Sequence, residues 1–241
     1  MSPEPDQRQI YASEAARYER LVAAEDWCGR LLPAIADVVP LAGAHVVEAG
    51  AGTGRLTRLL SPCVRYVHAL DRSGHMLRHA RGLLQRECRG NWSLAIADNQ
   101  DLPLGNRCAD IAIAGWNYGH STVWNKRGWR VEVGRALGEM LRVLRPGGTA
   151  IILETLGTGS KTPRPPTENL AAYYRWLETE RGFARRWLRT DYRFGSRQEA
   201  RELLGFFFGE EFASQAPLSA SCVLPECTGL WWRRASDKPL R

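Results

Sequence analysis

Five short apolar runs separated by stretches of helical periodicity constrain the fold of this chain more than any other feature. The runs are HVVEAG (45–50), VRYVHALD (64–71), WSLAIAD (92–98), ADIAIAGW (109–116) and GTAIILET (148–155). Each is too short for a buried helix, and most of their apolar residues are consecutive, as in strands buried on both faces. Helical spacing fills the intervals 53–60, 74–88 and 131–144. Strands buried on both faces and joined through helices predict a parallel sheet with right-handed crossovers, a doubly wound α/β domain. The punctuation agrees, because Arg145-Pro146-Gly147-Gly148 stops one helix and launches the fifth strand.

The flanks follow other patterns. Tyr11, Ala15, Tyr18 and Val22, then Trp27, Leu31, Ile35 and Val38, recur at steps of three or four and predict two helices over 8–39. Residues 157–168 are rich in Gly, Pro and polar residues and read as a loop. Residues 169–188 have helical spacing with Tyr173, Tyr174, Trp176, Phe183 and Trp187. Ser196 and Glu199 form a capping box for a helix ending near Phe208, and strands are expected at 212–218 and 228–234. The expected organisation is one domain over 1–241: N-terminal helices (1–43), a ligand-binding core (44–156), a cap over the substrate (157–195) and a C-terminal helix with strands (196–241).

Composition excludes some classes and leaves others open. No window approaches the roughly 18 apolar residues that a membrane helix needs, and MSPEPDQRQ lacks the pattern of a signal peptide, so a cytoplasmic protein without a membrane partner is expected. The six cysteines include no CxxC pair and read as reduced. His75 and His79 share a helix face but have no third ligand at a suitable spacing, so no metal is expected. The net charge of +7 invites a nucleic-acid reading. Segment 158–201 carries ten basic and five acidic residues, but 30 of the 33 basic residues in the chain are Arg, a skew that needs no anionic partner.

The chemistry centres on Glu48-Ala49-Gly50-Ala51-Gly52-Thr53-Gly54, where a buried strand turns into a helix through glycines at alternate positions. Glycine permits positive φ and close approach of a ligand, and the helix start offers free N–H groups, so a nucleotide-like ligand belongs here. A dinucleotide fingerprint would place glycine three residues after Gly52, where this chain has Arg55. Glu48 would repel a pyrophosphate and suits a ligand with an ammonium group. Asp71 closes the second strand, where a carboxylate can take both hydroxyls of a ribose. Asp98 closes the third with Asn99 beside it, offering polar groups to an adenine. Helix capping is the structural alternative for both aspartates. In an open parallel sheet the three strand ends converge on one crevice.

These motifs, in this order, resemble the class I S-adenosylmethionine-dependent methyltransferases over roughly residues 8–155. EAGAGTGRLT is similar to their first motif, LDRS (70–73) to the second, AIADNQDLPL (95–104) to the third, ADIAIAGW to the fourth and LRPGGTAIILE (144–154) to the turn and fifth strand. Glu48 stands where the family usually has Asp. The resemblance implies a Rossmann-like, mostly parallel seven-stranded sheet with a helical insertion after the fifth strand, and S-adenosyl-L-methionine as cofactor. It implies cofactor contacts from Glu48, Gly50, Gly52, Gly54, Asp71, Arg72, Met76 under the adenine, Asp98, Asn99, Gly115 and Trp116, with Tyr11 or Tyr18 closing over the ligand.

Methyl transfer needs a nucleophile held in line and water excluded, and a general base is optional. His120, just beyond the fourth strand, and Glu154, at the end of the fifth, are the candidates for a base. WNYGHSTVW (116–124) and the aromatic segment 169–188 suit a flat or apolar acceptor. No Asp or Asn is followed by two prolines and an aromatic, the mark of many methyltransferases that modify nucleic-acid amino groups. A small-molecule acceptor is therefore expected. RNA is the alternative within the same activity, and a nicotinamide-dependent oxidoreductase is the alternative activity.

Overall fold

A computed structural model describes residues 5–236. The N-terminal segment forms three helices, α1 (Gln7–Ser13), α2 (Ala15–Ala23) and α3 (Leu31–Ala36). Two were expected over 8–39. The chain turns at Asp26, whose φ is +57°, and Trp27 is left 47% exposed instead of continuing a buried stripe. The alternating core follows: β1 (His45–Ala49), α4 (Arg55–Leu60), β2 (Tyr66–Asp71), α5 (Gly74–Glu87), β3 (Trp92–Ile96) and β4 (Ala109–Gly115). After β4 come a 3-10 turn (Tyr118–His120), α6 (Ser121–Trp124), α7 (Trp129–Val143) and β5 (Leu144–Thr158).

The last third contains α8 (Glu168–Thr179), β6 (Ala184–Arg189), β7 (Tyr192–Arg193), α9 (Arg197–Phe208), α10 (Glu210–Gln215), β8 (Val223–Leu224) and β9 (Glu226–Arg234). The seven-stranded sheet has the order β3-β2-β1-β4-β5-β9-β6. Strands β1 to β5 pair in parallel, and β9 runs antiparallel to both β5 and β6. Every strand but β9 therefore points the same way, and the doubly wound, mostly parallel expectation holds.

Three expectations in this last third change. The helix read over 169–188 ends at Thr179; the chain turns through Gly182 at φ +68° and continues as β6. Aromatic loading continues across that break and hides it. The strand expected at 212–218 is α10, entered through Gly209 at φ +94°. The segment 157–195, expected as a cap, supplies helix α8 and strand β6 to the body of the fold: Tyr173, Tyr174, Trp176 and Leu177 are buried in the same cluster as Trp129 of α7 and Trp231 of β9.

Packing makes three clusters. Helices α7 and α8 cover one face of the sheet, with Tyr174 stacked on Trp231 at 4.6 Å. Helices α3 and α4 with Leu77 of α5 cover the other. The third joins Leu21 of α2 to Leu203 and Leu204 of α9 and to Tyr192, Phe194 and Leu224 around the β7–β8 pair. Helix starts are fixed locally: Ser73, Thr167 and Ser196 accept from the N–H groups of Met76, Leu170 and Glu199 to cap α5, α8 and α9. Among the described residues, no helix is long and apolar enough to cross a membrane.

Candidate functional site

The glycine turn after β1 is built from backbone. Gly50, Gly52 and Gly54 have φ of +75°, +54° and +82°, a region that costs other residues free energy. The N–H groups of Gly50 and Ala51 donate to the Leu70 carbonyl at 2.8 and 2.9 Å, lashing the turn to the end of β2. A Cβ at Gly50 would lie 2.0 Å from Asn117 Nδ2, and one at Gly54 would lie 3.3 Å from the Ala80 Cβ of α5. A Cβ at Gly52 would meet nothing within 4 Å, so the turn presents an open cradle on that side.

Asp71 closes this half. Its Oδ2 accepts from Gly52 N–H at 2.8 Å and its Oδ1 from Ser73 N–H at 2.7 Å. Burial raises its carboxyl above the usual range, opposed by those two bonds and by Arg72. Both roles considered for Asp71 are thus compatible with its position, since each oxygen keeps a second lone pair. Met76 is buried one turn into α5. Arg72 is exposed, and the next strand end is linked through Ala97 N–H to the Asp71 carbonyl. Asp98 is exposed beside half-buried Asn99 and accepts from Gln100 N–H at 2.9 Å, which places it on the rim as the cap of its own turn.

Behind the turn, Glu48 is 1% exposed and accepts from Thr57 Oγ1. Burial pushes its carboxyl up to about 8, with nearby Asp71 adding to the shift. Glu154, 4% exposed, is also pushed up to about 8 by burial. Its Oε1 accepts from Gly119 N–H at 2.8 Å, and the backbones of Asn117 and Tyr118 also bond to it. Glu154 therefore organises the loop beyond β4, with its acceptor capacity directed at backbone amides.

That loop carries His120. Its Nε2 lies 2.9 Å from the Tyr11 hydroxyl and its ring stacks on Trp124 at 4.8 Å. Burial pushes its pKa down to about 4 against a hydrogen bond to the Trp116 backbone, so the ring is neutral at physiological pH. A ring N–H donated to the Trp116 carbonyl leaves Nε2 as the basic nitrogen, facing the Tyr11 O–H. Tyr11 is fixed in turn, because Ser73 Oγ donates to its carbonyl at 2.8 Å. Tyr18 meets the Tyr11 ring edge-on at 5.3 Å, and Phe207 of α9 packs on both. The N-terminal helices and α9 thus lie over the carboxyl ends of the strands.

Gly115 gives β4 its close approach to α4, since a Cβ there would lie 2.8 Å from Leu56 Cδ1. Trp116 follows at φ +49°, a strained value for an aromatic residue, with the Arg55 guanidinium 4.2 Å above its ring. Arg55 pairs with buried Glu25 at 2.7 Å. Glu25 also bonds Thr190 Oγ1 at 3.1 Å, which meets Thr228 Oγ1. Asn117, Glu25 and Glu226 went unrecognised in the sequence, and Arg55 registered only as the residue that breaks the dinucleotide spacing. That departure was the one available signal. Among the described residues, no group of three or more His, Cys, Asp or Glu side chains could hold a metal ion.

Comparisons with known proteins find methyltransferases similar to part of this chain. Residues 46–148 match the methyltransferase domain. The malonyl-[acyl-carrier protein] O-methyltransferase of Pectobacterium atrosepticum is 34% identical over 152 residues, 63% of this chain and 53% of that protein. The ubiquinone/menaquinone biosynthesis C-methyltransferase of Rubrivivax gelatinosus is 29% identical over 153 residues, 61% of this chain and 55% of that protein. The chain thus spans about half the length of these relatives. The solved structure of a SAM-dependent methyltransferase from Aquifex aeolicus superposes with a TM-score of 0.58 over 90% of this chain and 97% of that one at 16% identity, a likeness of fold. The glycine turn, the strand order and these matches together make residues 46–148 similar to a methyltransferase domain, on a fold shared with solved S-adenosylmethionine-dependent methyltransferases.

Proposed function

We propose that the protein transfers a methyl group from S-adenosylmethionine to a small-molecule acceptor at the carboxyl ends of β1, β2, β4 and β5. The observation that carries this reading is the open cradle at Gly52, bonded through its N–H to Asp71 and backed by buried Glu48 in a chain whose net charge is +7. A buried carboxyl that holds its proton until a cation arrives and ionises beside it favours a cationic ligand. The residues fit the cofactor: Asp71 would take the ribose, Met76 would pack under the adenine, and the buried carboxyls would balance its positive charge. When bound, the cofactor supplies an electrophilic methyl group on a sulfonium.

The remaining chemistry belongs to the chain. The glycine turn positions, while Tyr11, Tyr18 and Phe207 exclude water. His120 Nε2 can take the proton of an acceptor hydroxyl that displaces the Tyr11 O–H. Glu154 acts through the loop it holds, a positioning role. The relatives named as an O-methyltransferase of malonyl-[acyl-carrier protein] and a C-methyltransferase of ubiquinone/menaquinone biosynthesis support an oxygen or carbon acceptor. The basic segment gives RNA less support, because Arg185, Arg186 and Arg189 are paired with Glu178, Asp37 and Asp191. Calorimetry on the full chain tests the reading: S-adenosylhomocysteine should bind well below the millimolar range and NADH should not. Saturable NADH binding in its place would overturn it.

A further inference from the structure

Beside the site is a second buried polar cluster, which cofactor binding and proton transfer as proposed do not use. It lies on the β4, β9 and β6 side, away from Asp71. Arg55 leans over the Trp116 ring and gives Nη1 to Glu25, while its Nη2 is buried without a hydrogen-bond partner among the described residues. Glu226, 1% exposed at the start of β9, accepts from Thr155 Oγ1 at 2.7 Å; Thr158 stands beside it, and among the described residues none makes a hydrogen bond of full geometry to its buried Oε2. Glu25 links the two: it holds Arg55 at 2.7 Å and accepts from Thr190 Oγ1 at 3.1 Å, and Thr190 N–H donates to the Glu226 carbonyl at 3.0 Å, while burial and Glu25 raise the Glu226 carboxyl. A buried N–H and a buried carboxyl oxygen left unmade cost about 1–3 kcal/mol each, so the pair is poised for a ligand that satisfies both.

Charge decides which ligand. Glu25 already neutralises Arg55. A carboxylate alone would add an anion beside two carboxyl groups, and an amine alone would leave the guanidinium N–H unmet. A zwitterion satisfies both without adding net charge. We propose that Arg55 and Glu226 form the acceptor-anchoring subsite and take the carboxylate and the ammonium of an amino-acid end. The anchored end lies by the Trp116 indole, and the rest of the acceptor reaches toward His120, which bonds to the backbone of the same tryptophan. The ring contacts of Tyr11 with Tyr18 and Trp124 suit an aromatic body between the two ends. The acceptor class is then a hydroxylated aromatic amino acid.

This inference rests on the methyltransferase reading, and one titration separates their failures. The full chain is first titrated with S-adenosylhomocysteine; no binding at that step sinks the methyltransferase reading. The saturated protein is then titrated with L-tyrosine, with tyramine, which lacks the carboxylate, and with 3-(4-hydroxyphenyl)propionate, which lacks the ammonium. Tyrosine should bind at least about tenfold more tightly than either. Arg55→Gln should erase its advantage over tyramine, and Glu226→Gln its advantage over the propionate. Arg55→Lys, which keeps the charge beside Glu25, serves if Arg55→Gln fails to fold, and the wild-type ranking needs no variant. Tyrosine binding no better than its trimmed partners, undetectable binding of all three included, overturns the proposal. The cofactor also has an amino-acid end. If Arg55→Gln, or Arg55→Lys in its place, weakens S-adenosylhomocysteine about tenfold but spares its decarboxylated analogue, the subsite serves the cofactor and the acceptor assignment falls.

Discussion

The two halves of the site are built by different means. The half over β1 and β2 is backbone held by backbone: three glycines at positive φ, two N–H groups on the Leu70 carbonyl, and Asp71 spanning Gly52 and Ser73. The half over β4, β5 and β9 is made of side chains from distant parts of the chain: Tyr11 on His120, Glu154 under Gly119, Arg55 between Glu25 and Trp116. Backbone geometry needs particular residues at particular spacings, so the first half can change little and still serve one ligand. Side-chain contacts can be exchanged one at a time, so the second half is where an acceptor can be specified.

Substitutions should therefore act differently in the two halves. Gly50→Val places a branched side chain against Asn117 at a φ of +75° and should weaken S-adenosylhomocysteine by at least about a hundredfold, near 2.8 kcal/mol, in a calorimetric titration. Asp71→Ala should cost about 1.5–3 kcal/mol of the same affinity by removing a charged acceptor. Unchanged affinity would mean that Asp71 only ties the turn to α5. Across the site, Tyr11→Phe should leave cofactor affinity within about threefold and lower folding stability by about 1 kcal/mol in denaturant, the worth of one hydrogen bond. A loss as large as that of Asp71→Ala would erase the distinction between the halves.

The pH response sharpens the comparison further. Glu48 and Glu154 are pushed from their ordinary 4.5 up to about 8, so the ligand-free folded chain holds protons that the unfolded chain has released. Their contribution to stability is complete below 4.5 and is lost as pH rises toward 8. Glu48→Gln and Glu154→Gln should each flatten that decline in denaturant titrations. The glutamates should differ with ligand: a cation bound near Glu48 favours its ionised form, so affinity for S-adenosylmethionine relative to its neutral-sulfur product should rise between pH 6 and 8, and Glu48→Gln alone should remove the rise. An unchanged ratio would separate Glu48 from the cofactor.

The same division sets what could be read from the sequence. The first half was legible because positive φ, a buried strand and a strand-end carboxylate leave a local signature between Glu48 and Asp71. The second half depends on pairs far apart in sequence. Arg55 meets Glu25 30 residues away, and Tyr11 meets His120 across 109, contacts that no local pattern encodes. Glu154 is read from the sequence as a candidate base, but which way its carboxyl faces depends on a loop whose conformation is tertiary: it accepts from Gly119 N–H. The break between α8 and β6 is hidden for a related reason, since Trp176 before it and Phe183 after it are both buried aromatics on either side of one turn that only Gly182 marks.

The most direct test of the central claim is a crystal structure of the chain grown with S-adenosylhomocysteine. The account predicts the ligand on the open side of Gly52, its ribose hydroxyls on Asp71 and its adenine toward Met76, with Tyr11 and Tyr18 closing the opposite side. A ligand seated elsewhere with the Gly52 cradle empty, or none bound at millimolar concentration, would contradict it.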